Sequence, residues 1–171
     1  MLKSADSRDF VEIMTDSENK GEVNAALKQE LKDLPLIREI ASSLKGLPMD
    51  REDVRQSLEV IRTVTKEIQA GRNYIIYPEG TRSKNGNVMG EFHHGSFRCA
   101  TTAKCPVLPV CVIDTHKVLD QKGSKPITVQ MHYLPPIPAE EYEGMKAADL
   151  ASLVQSRIQA CIQANAPAEE A

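Results

Sequence analysis

The sequence predicts an α/β fold: a single domain with a mostly parallel or mixed sheet flanked by helices. Three observations lead there. Residues 52–70 have helical period, with Val54, Leu58, Ile61, Val64 or Thr65, and Ile68 along one face and charged residues on the other. Two apolar runs of strand length, at 73–77 and 107–113, are separated by a helix-like segment at 95–104. Nearly continuous apolar strands interrupted by helices imply a sheet covered on both faces. With 171 residues, 41% of them hydrophobic and 26% charged, the chain has enough material for one domain with a substantial core.

The elements follow in order. Residues 1–22 are polar and acidic with scattered apolar positions, and read as a loosely ordered arm or short helix. Val23, Leu27 and Leu31 recur at helical spacing, and Pro35 opens a second helical piece that Gly46 ends. Leu47–Asp50 is a short extended segment, and its Pro48 argues against a fully hydrogen-bonded central strand. Asp50 suits the N-cap of the long helix and Gly71 its C-cap. A membrane-surface helix is the alternative for this stretch, but its polar face mixes both charge signs. Past the second strand, 127–133 alternates apolar and polar residues like a half-exposed strand. Pro135–Pro138 reads as an extended connector. A terminal amphipathic helix carries Leu150, Val154, Ile158, and Cys161 or Ile162. The domain is expected over residues 23–164, with 165–171 as a frayed tail.

Several function classes recede. A net charge of −3 gives no bulk attraction to nucleic acid or acidic lipid, so any phosphate recognition must be local. No apolar run approaches bilayer-spanning length, and the first residues lack the apolar core of a signal peptide. The four cysteines (Cys99, Cys105, Cys111, Cys161) show no CxxC spacing and read as small buried hydrophobes in a reducing compartment. The four histidines (His93, His94, His116, His132) lack metal-ligand spacing, so neither a metal nor a bound cofactor is expected. No G-x-S-x-G elbow, P-loop or G-x-G-x-x-G occurs.

The chemistry concentrates at Tyr77-Pro78-Glu79-Gly80-Thr81-Arg82-Ser83, where an apolar strand opens into a polar loop. Gly80 lets a backbone approach closely, Thr81 can donate a hydrogen bond and Arg82 can pair bidentately, a set that suits phosphate. Glu79 and Arg82 could instead pair with each other as a loop-stabilising ion pair. Asn85-Gly86 signals a turn, so 83–90 should reverse and bring Phe92-His93-His94-Gly95 back towards the glycine loop. Gly95 and Ser96 would then sit at a helix start that favours an anion. The adjacent His93 and His94 could supply charge or protons there, or be a solvated loop feature.

In order and spacing, these segments resemble the glycerolipid acyltransferase family, the group that contains the 1-acylglycerol-3-phosphate acyltransferases. Lys28–Pro35 is similar to the segment ahead of the family's second block, and Gly46–Arg51 to that block itself. Pro78-Glu79-Gly80-Thr81-Arg82-Ser83 matches the third block without a mismatch, Phe92–Phe97 resembles the Phe-x-x-Gly-x-Phe that follows it, and Val107-Leu108-Pro109-Val110 the fourth. The resemblance covers residues 28–113 and implies a glycerol-3-phosphate acyltransferase-like fold. It implies acyl transfer from acyl-CoA or acyl carrier protein, as co-substrate, to the free hydroxyl of lysophosphatidic acid. Glu79, Gly80, Thr81 and Arg82 would hold the acceptor's glycerol phosphate, Arg51 would be a further phosphate ligand, and Ser83, Gly95, Ser96 and Pro109 would support the site. A membrane surface, on its cytoplasmic face, is also expected from the family.

One block departs. The family's general base is a His with an Asp five residues on. The first 27 residues hold no histidine, and the positions five beyond the four histidines are Arg98, Cys99, Gln121 and Ile137. The resemblance thus implies an N-terminally truncated member, with no identifiable catalytic residue and with His93 and His94 as the weak substitutes. It is expected to bind acceptor and to catalyse weakly or not at all. The alternative is a non-catalytic module that senses lysophospholipid or CoA.

Overall fold

The computed structural model describes residues 23–28, 47–49, 54–80, 83, 85–120 and 126–167. The chain divides into two compact units, 1–76 and 77–171. The expected N-terminal arm, the helical piece from Pro35 to Gly46, the Asp50 cap and the end of the tail lie outside the described residues.

The first unit contains a three-stranded parallel sheet with β1 (Val23–Lys28) between β2 (Leu47–Met49) and β3 (Asn73–Ile75). Ala26, Leu27 and Lys28 face Leu47, Pro48 and Met49, while Val23, Asn24 and Ala25 face Asn73, Tyr74 and Ile75. This corrects the helix expected from Val23. Val23 and Leu27 do stand four apart, but two neighbouring strands claim the backbone groups of this segment, and tertiary pairing overrides a weak local preference. Pro48 lies on β2, which has one strand neighbour in the described sheet, as its missing N–H requires.

Helix α1 (Val54–Gln69) connects β2 to β3, the kind of crossover that parallel strands need. Val64 and Thr65 are its buried residues, Ile61 and Ile68 are half-buried, and Leu58 is exposed on the same helix. The helix stops as the sequence predicts. Gly71 adopts φ 90°, its N–H reaches the Ile68 carbonyl at 2.9 Å, and Arg72 N–H reaches that of Glu67 at 3.0 Å. That pair of bonds is the Schellman arrangement, and it needs a left-handed residue at the Gly71 position.

The second unit is built on an antiparallel ribbon, β4 (Val110–Ile113) with β5 (Gln130–Tyr133), in register Val110–Tyr133 to Ile113–Gln130. Pro109 cannot donate, so β4 begins after it, while its carbonyl accepts from Leu134 N–H at 3.0 Å. Beyond β5 the proline-rich connector runs extended and exchanges two bonds with Val107, both through Ile137. β4 was expected to be buried on both faces. Instead its residues alternate: Cys111 and Ile113 are fully buried and Val112 is 36% exposed. The reason is the partner: an antiparallel ribbon can leave one face open, where a parallel sheet between helices cannot.

Two short helices, α2 (Arg98–Ala103) and α3 (His116–Asp120), flank β4, and α4 (Ala147–Asn165) closes the unit. Leu150 and Val154 of α4 enter a core with Phe92, Phe97, Ile137 and Tyr142, and Ile162 joins Cys111 and Ile113. Tyr142 is 3% exposed and its hydroxyl donates to the carbonyls of Ala100 and Cys105, so a buried polar atom is satisfied. The four thiols are free, with Cys99 and Cys111 buried and Cys105 and Cys161 half-buried. Among the described residues, no helix is long and apolar enough to cross a membrane and no group of side chains could hold a metal ion.

Candidate anion site at the Tyr77–Gly80 turn

The motif loop begins as a tight turn. Gly80 N–H donates to the Tyr77 carbonyl at 3.1 Å, with Pro78 at the second position and Gly80 at the fourth. Pro78 presets the φ that position wants, and Gly80 takes φ 68°, where a Cβ would be strained. The Gly80 N–H is therefore used within the turn.

Glu79 is fastened to the returning strand of the excursion. Its Oε2 accepts the Gly90 N–H at 2.7 Å, and the Gly90 carbonyl accepts from Gln155 of α4 at 3.3 Å. A Cβ on Gly90 would lie 3.0 Å from that carboxylate oxygen, so a side chain there would press the carboxylate aside by a small shift. At the far end of the motif, the Ser83 hydroxyl donates to the Val88 carbonyl at 2.7 Å and its oxygen accepts from Asn85 N–H at 3.2 Å. Val88 N–H turns back to the Asn85 carbonyl and Gly86 has φ 62°, so the chain reverses in this segment as expected, with Gly86 and Asn87 at the centre of the turn. Glu79 and Ser83, on either side of Gly80-Thr81-Arg82, thus both direct side-chain bonds to the excursion.

The excursion brings the histidine segment back as the sequence predicts. His93 N–H donates to the Pro78 carbonyl at 2.9 Å. Phe92 and Phe97 bracket the segment and are buried with ring centroids 6.3 Å apart, while His93, His94 and Gly95 between them are exposed. A single 3-10 turn, His94–Phe97, leads into α2, in place of the continuous helix expected from Gly95. Ser96 sends both its N–H (3.0 Å) and its hydroxyl (2.7 Å) to the His93 carbonyl. Neither group is left to point at an anion, because a tight turn must satisfy its own first donors.

Of the residues expected at the site, the structure therefore gathers Glu79, Gly80, Ser83, His93 and, through the shared segment, His94, Gly95 and Ser96. Pro109 is buried just ahead of β4. Thr81, Arg82 and Arg51 lie outside the described residues.

Sequence reasoning missed a second tether. Asp114, the residue after β4, is 5% exposed and left-handed at φ 67°. Its Oδ1 accepts from Asn87 Nδ2 at 2.8 Å, its N–H donates to Asn87 Oδ1 at 2.8 Å, and Lys117 Nζ sits 2.9 Å from Oδ2. The Asn87 hydrogen bond first, then Lys117, hold the carboxyl below its usual range against the opposing effect of burial. Nothing in the local pattern of either residue announces a contact across 27 positions.

Comparisons with known proteins place the chain in a family. A family model described as Acyltransferase matches residues 9–113. The chloroplastic 1-acyl-sn-glycerol-3-phosphate acyltransferase BAT2 of Brassica napus is 30% identical over 86 residues, half of this chain and 25% of that protein. The 1-acyl-sn-glycerol-3-phosphate acyltransferase of Limnanthes douglasii is 26% identical over 134 residues, 74% of this chain and 46% of its own length. That of Salmonella typhimurium is 28% identical over 126 residues, covering 73% and 51%. The chain thus spans between a quarter and about half of the length of these relatives. Among solved structures, the 1-acyl-sn-glycerophosphate (LPA) acyltransferase PlsC of Thermotoga maritima aligns with a TM-score of 0.65 at 24% identity, over 84% of this chain and 56% of that one, a likeness of fold. With 105 of its 171 residues inside the family model (9 through 113), the chain belongs to the acyltransferase family.

Proposed function

We propose that the chain serves lysophosphatidic acid acylation: it takes an acyl group from acyl-CoA or acyl carrier protein and passes it to the acceptor's free hydroxyl, giving phosphatidic acid at a membrane surface. One observation carries the reading. The motif's first residues form a turn held through Glu79 and Gly90, and this fixes the motif's backbone up to Gly80. In this reading Thr81 and Arg82 bind the acceptor phosphate, Arg51 adds a second guanidinium, and Glu79 acts through the loop. A carboxylate would repel a phosphate dianion, so its use on Gly90 N–H is the chemically consistent one.

A second reading is a lysophospholipid- or CoA-binding module without turnover. Both readings are tested by incubating the chain with oleoyl-CoA or oleoyl-acyl carrier protein and vesicles containing lysophosphatidic acid. Transfer that Arg82→Ala abolishes and the His93→Ala/His94→Ala double variant retains supports the enzyme with a base other than these two. Transfer lost in the double variant assigns the base to the histidine pair. Saturable lysophosphatidic acid binding with no transfer supports the module. Tighter binding of soluble sugar phosphates than of lysophosphatidic acid rejects both.

A further inference from the structure

We propose that Asn87 and Asp114 are positioning residues of the anion site: their reciprocal pairing holds the 85–90 excursion, to which Glu79 and Ser83 are bonded, and so sets the site's affinity for a phosphomonoester ligand. The proposal rests on the reading of the Glu79–Ser83 loop as the phosphate site and adds a device to it.

The geometry forms one chain of contacts. Asp114 is carried by the end of β4, whose Cys111 and Ile113 are locked in the core, so it is a rigid anchor. It holds Asn87 by two bonds of opposite direction, each 2.8 Å, which fix both the position and the rotation of the amide. Asn87 lies within the stretch of the excursion that touches the motif. Asn85 and Val88, which straddle it, hold Ser83 at 3.2 and 2.7 Å. Gly90, two residues beyond Val88, holds the Glu79 carboxylate at 2.7 Å. Moving Asn87 therefore moves the partners of Glu79 and of Ser83 together. Two features mark the pairing as specific. Asp114 sustains it in the left-handed region, and a carboxylate 5% exposed is matched by an amide and an ammonium, where an unpaired one would not be tolerated.

Exchanging the two side chains provides the test. Asn87→Asp places two carboxylates face to face. In Asn87→Asp with Asp114→Asn, Asp at 87 still accepts the backbone N–H of residue 114, and the new amide donates to its second oxygen. Asparagine also tolerates the left-handed backbone. The readout is calorimetric titration of the full chain with short-chain lysophosphatidic acid, using the monoacylglycerol of the same chain length as a phosphate-free control. The expectation is a loss of roughly tenfold or more in phosphate-ligand affinity for Asn87→Asp and recovery to within about threefold in the exchanged pair, with the control unmoved. Binding by Asn87→Asp equal to wild type overturns the positioning role while leaving the phosphate site intact. Equal loss of both ligands in Asn87→Asp and in the exchanged pair also overturns it, in favour of a fold-wide role. If the wild-type chain does not prefer the phosphate ligand over the control, the phosphate reading itself fails and the positioning role falls with it.

Discussion

The backbone N–H of Gly90 meets the carboxylate of Glu79 at 2.7 Å, closing the excursion that follows the Pro-Glu-Gly-Thr-Arg motif onto the motif's own first turn. This bond gives the glutamate a part in closing the loop. Of the two glycines at its ends, Gly80 answers to a left-handed backbone, while a Cβ at Gly90 would meet the carboxylate at 3.0 Å.

Glu79→Ala should leave the Gly90 N–H exposed to water and the loop loose. Because the bond is solvent-exposed, the stability cost should be about 1 kcal/mol, while lysophosphatidic acid binding falls more than stability does. Urea titration beside ligand titration separates the two; a variant that binds as wild type refutes the loop-shaping role. Gly80→Ala, forced to φ 68°, should cost about 1–2 kcal/mol by the same denaturation measurement.

Asp114 makes stability depend on acid. Its folded-state carboxyl titrates below the ordinary range, chiefly through Asn87 and then Lys117, with His116 adding a smaller favourable charge. Its contribution is therefore complete above the unfolded-state value of about 4 and disappears as pH falls through the lower folded value. Denaturation midpoints of wild type and Asp114→Asn should converge as pH drops below about 4 and stay apart at neutral pH. A gap independent of pH would show that the carboxylate charge is not what stabilises the tether.

Leu150 and Ile113 are both fully buried, in the two clusters that α4 brings together with the rest of its unit. Leu150→Ala or Ile113→Ala should each cost about 2–5 kcal/mol, the deleted methyl groups plus the cavity they leave. Urea unfolding followed by circular dichroism measures it. A cost below about 1 kcal/mol would mean that the site collapses around the smaller residue.

The thiols should differ in reactivity. Burial, with Cys105 adding to it, pushes Cys99 up to about 11, and burial, reinforced by the hydrogen bond with Cys161, pushes Cys111 up to about 12. Alkylation with iodoacetamide at pH 8 followed by mass spectrometry should mark the half-buried Cys105 and Cys161 first and reach Cys99 and Cys111 after unfolding. Early labelling of Cys111 would contradict the packing of β4 on α4.

What the sequence determined by itself is what neighbours along the chain can enforce. Helix α1 and its Gly71 stop, the reversal that Asn85-Gly86 signals and the return of His93 to the motif all depend on contacts within about one excursion of chain, and each was legible in residue types and spacing. The ordered motif blocks identified the family in the same way. Tertiary structure alone decided the rest. Val23–Lys28 is a strand because β2 and β3 flank it, although its apolar spacing suits a helix. β4 has one buried face because β5 pairs with it antiparallel. Asn87 and Asp114 meet across 27 positions, and Glu79 turns its charge to Gly90, because the fold brings those donors within reach. Backbone hydrogen bonds and buried charges must find partners wherever the chain leads them, and a one-dimensional pattern does not record which distant group supplies the match.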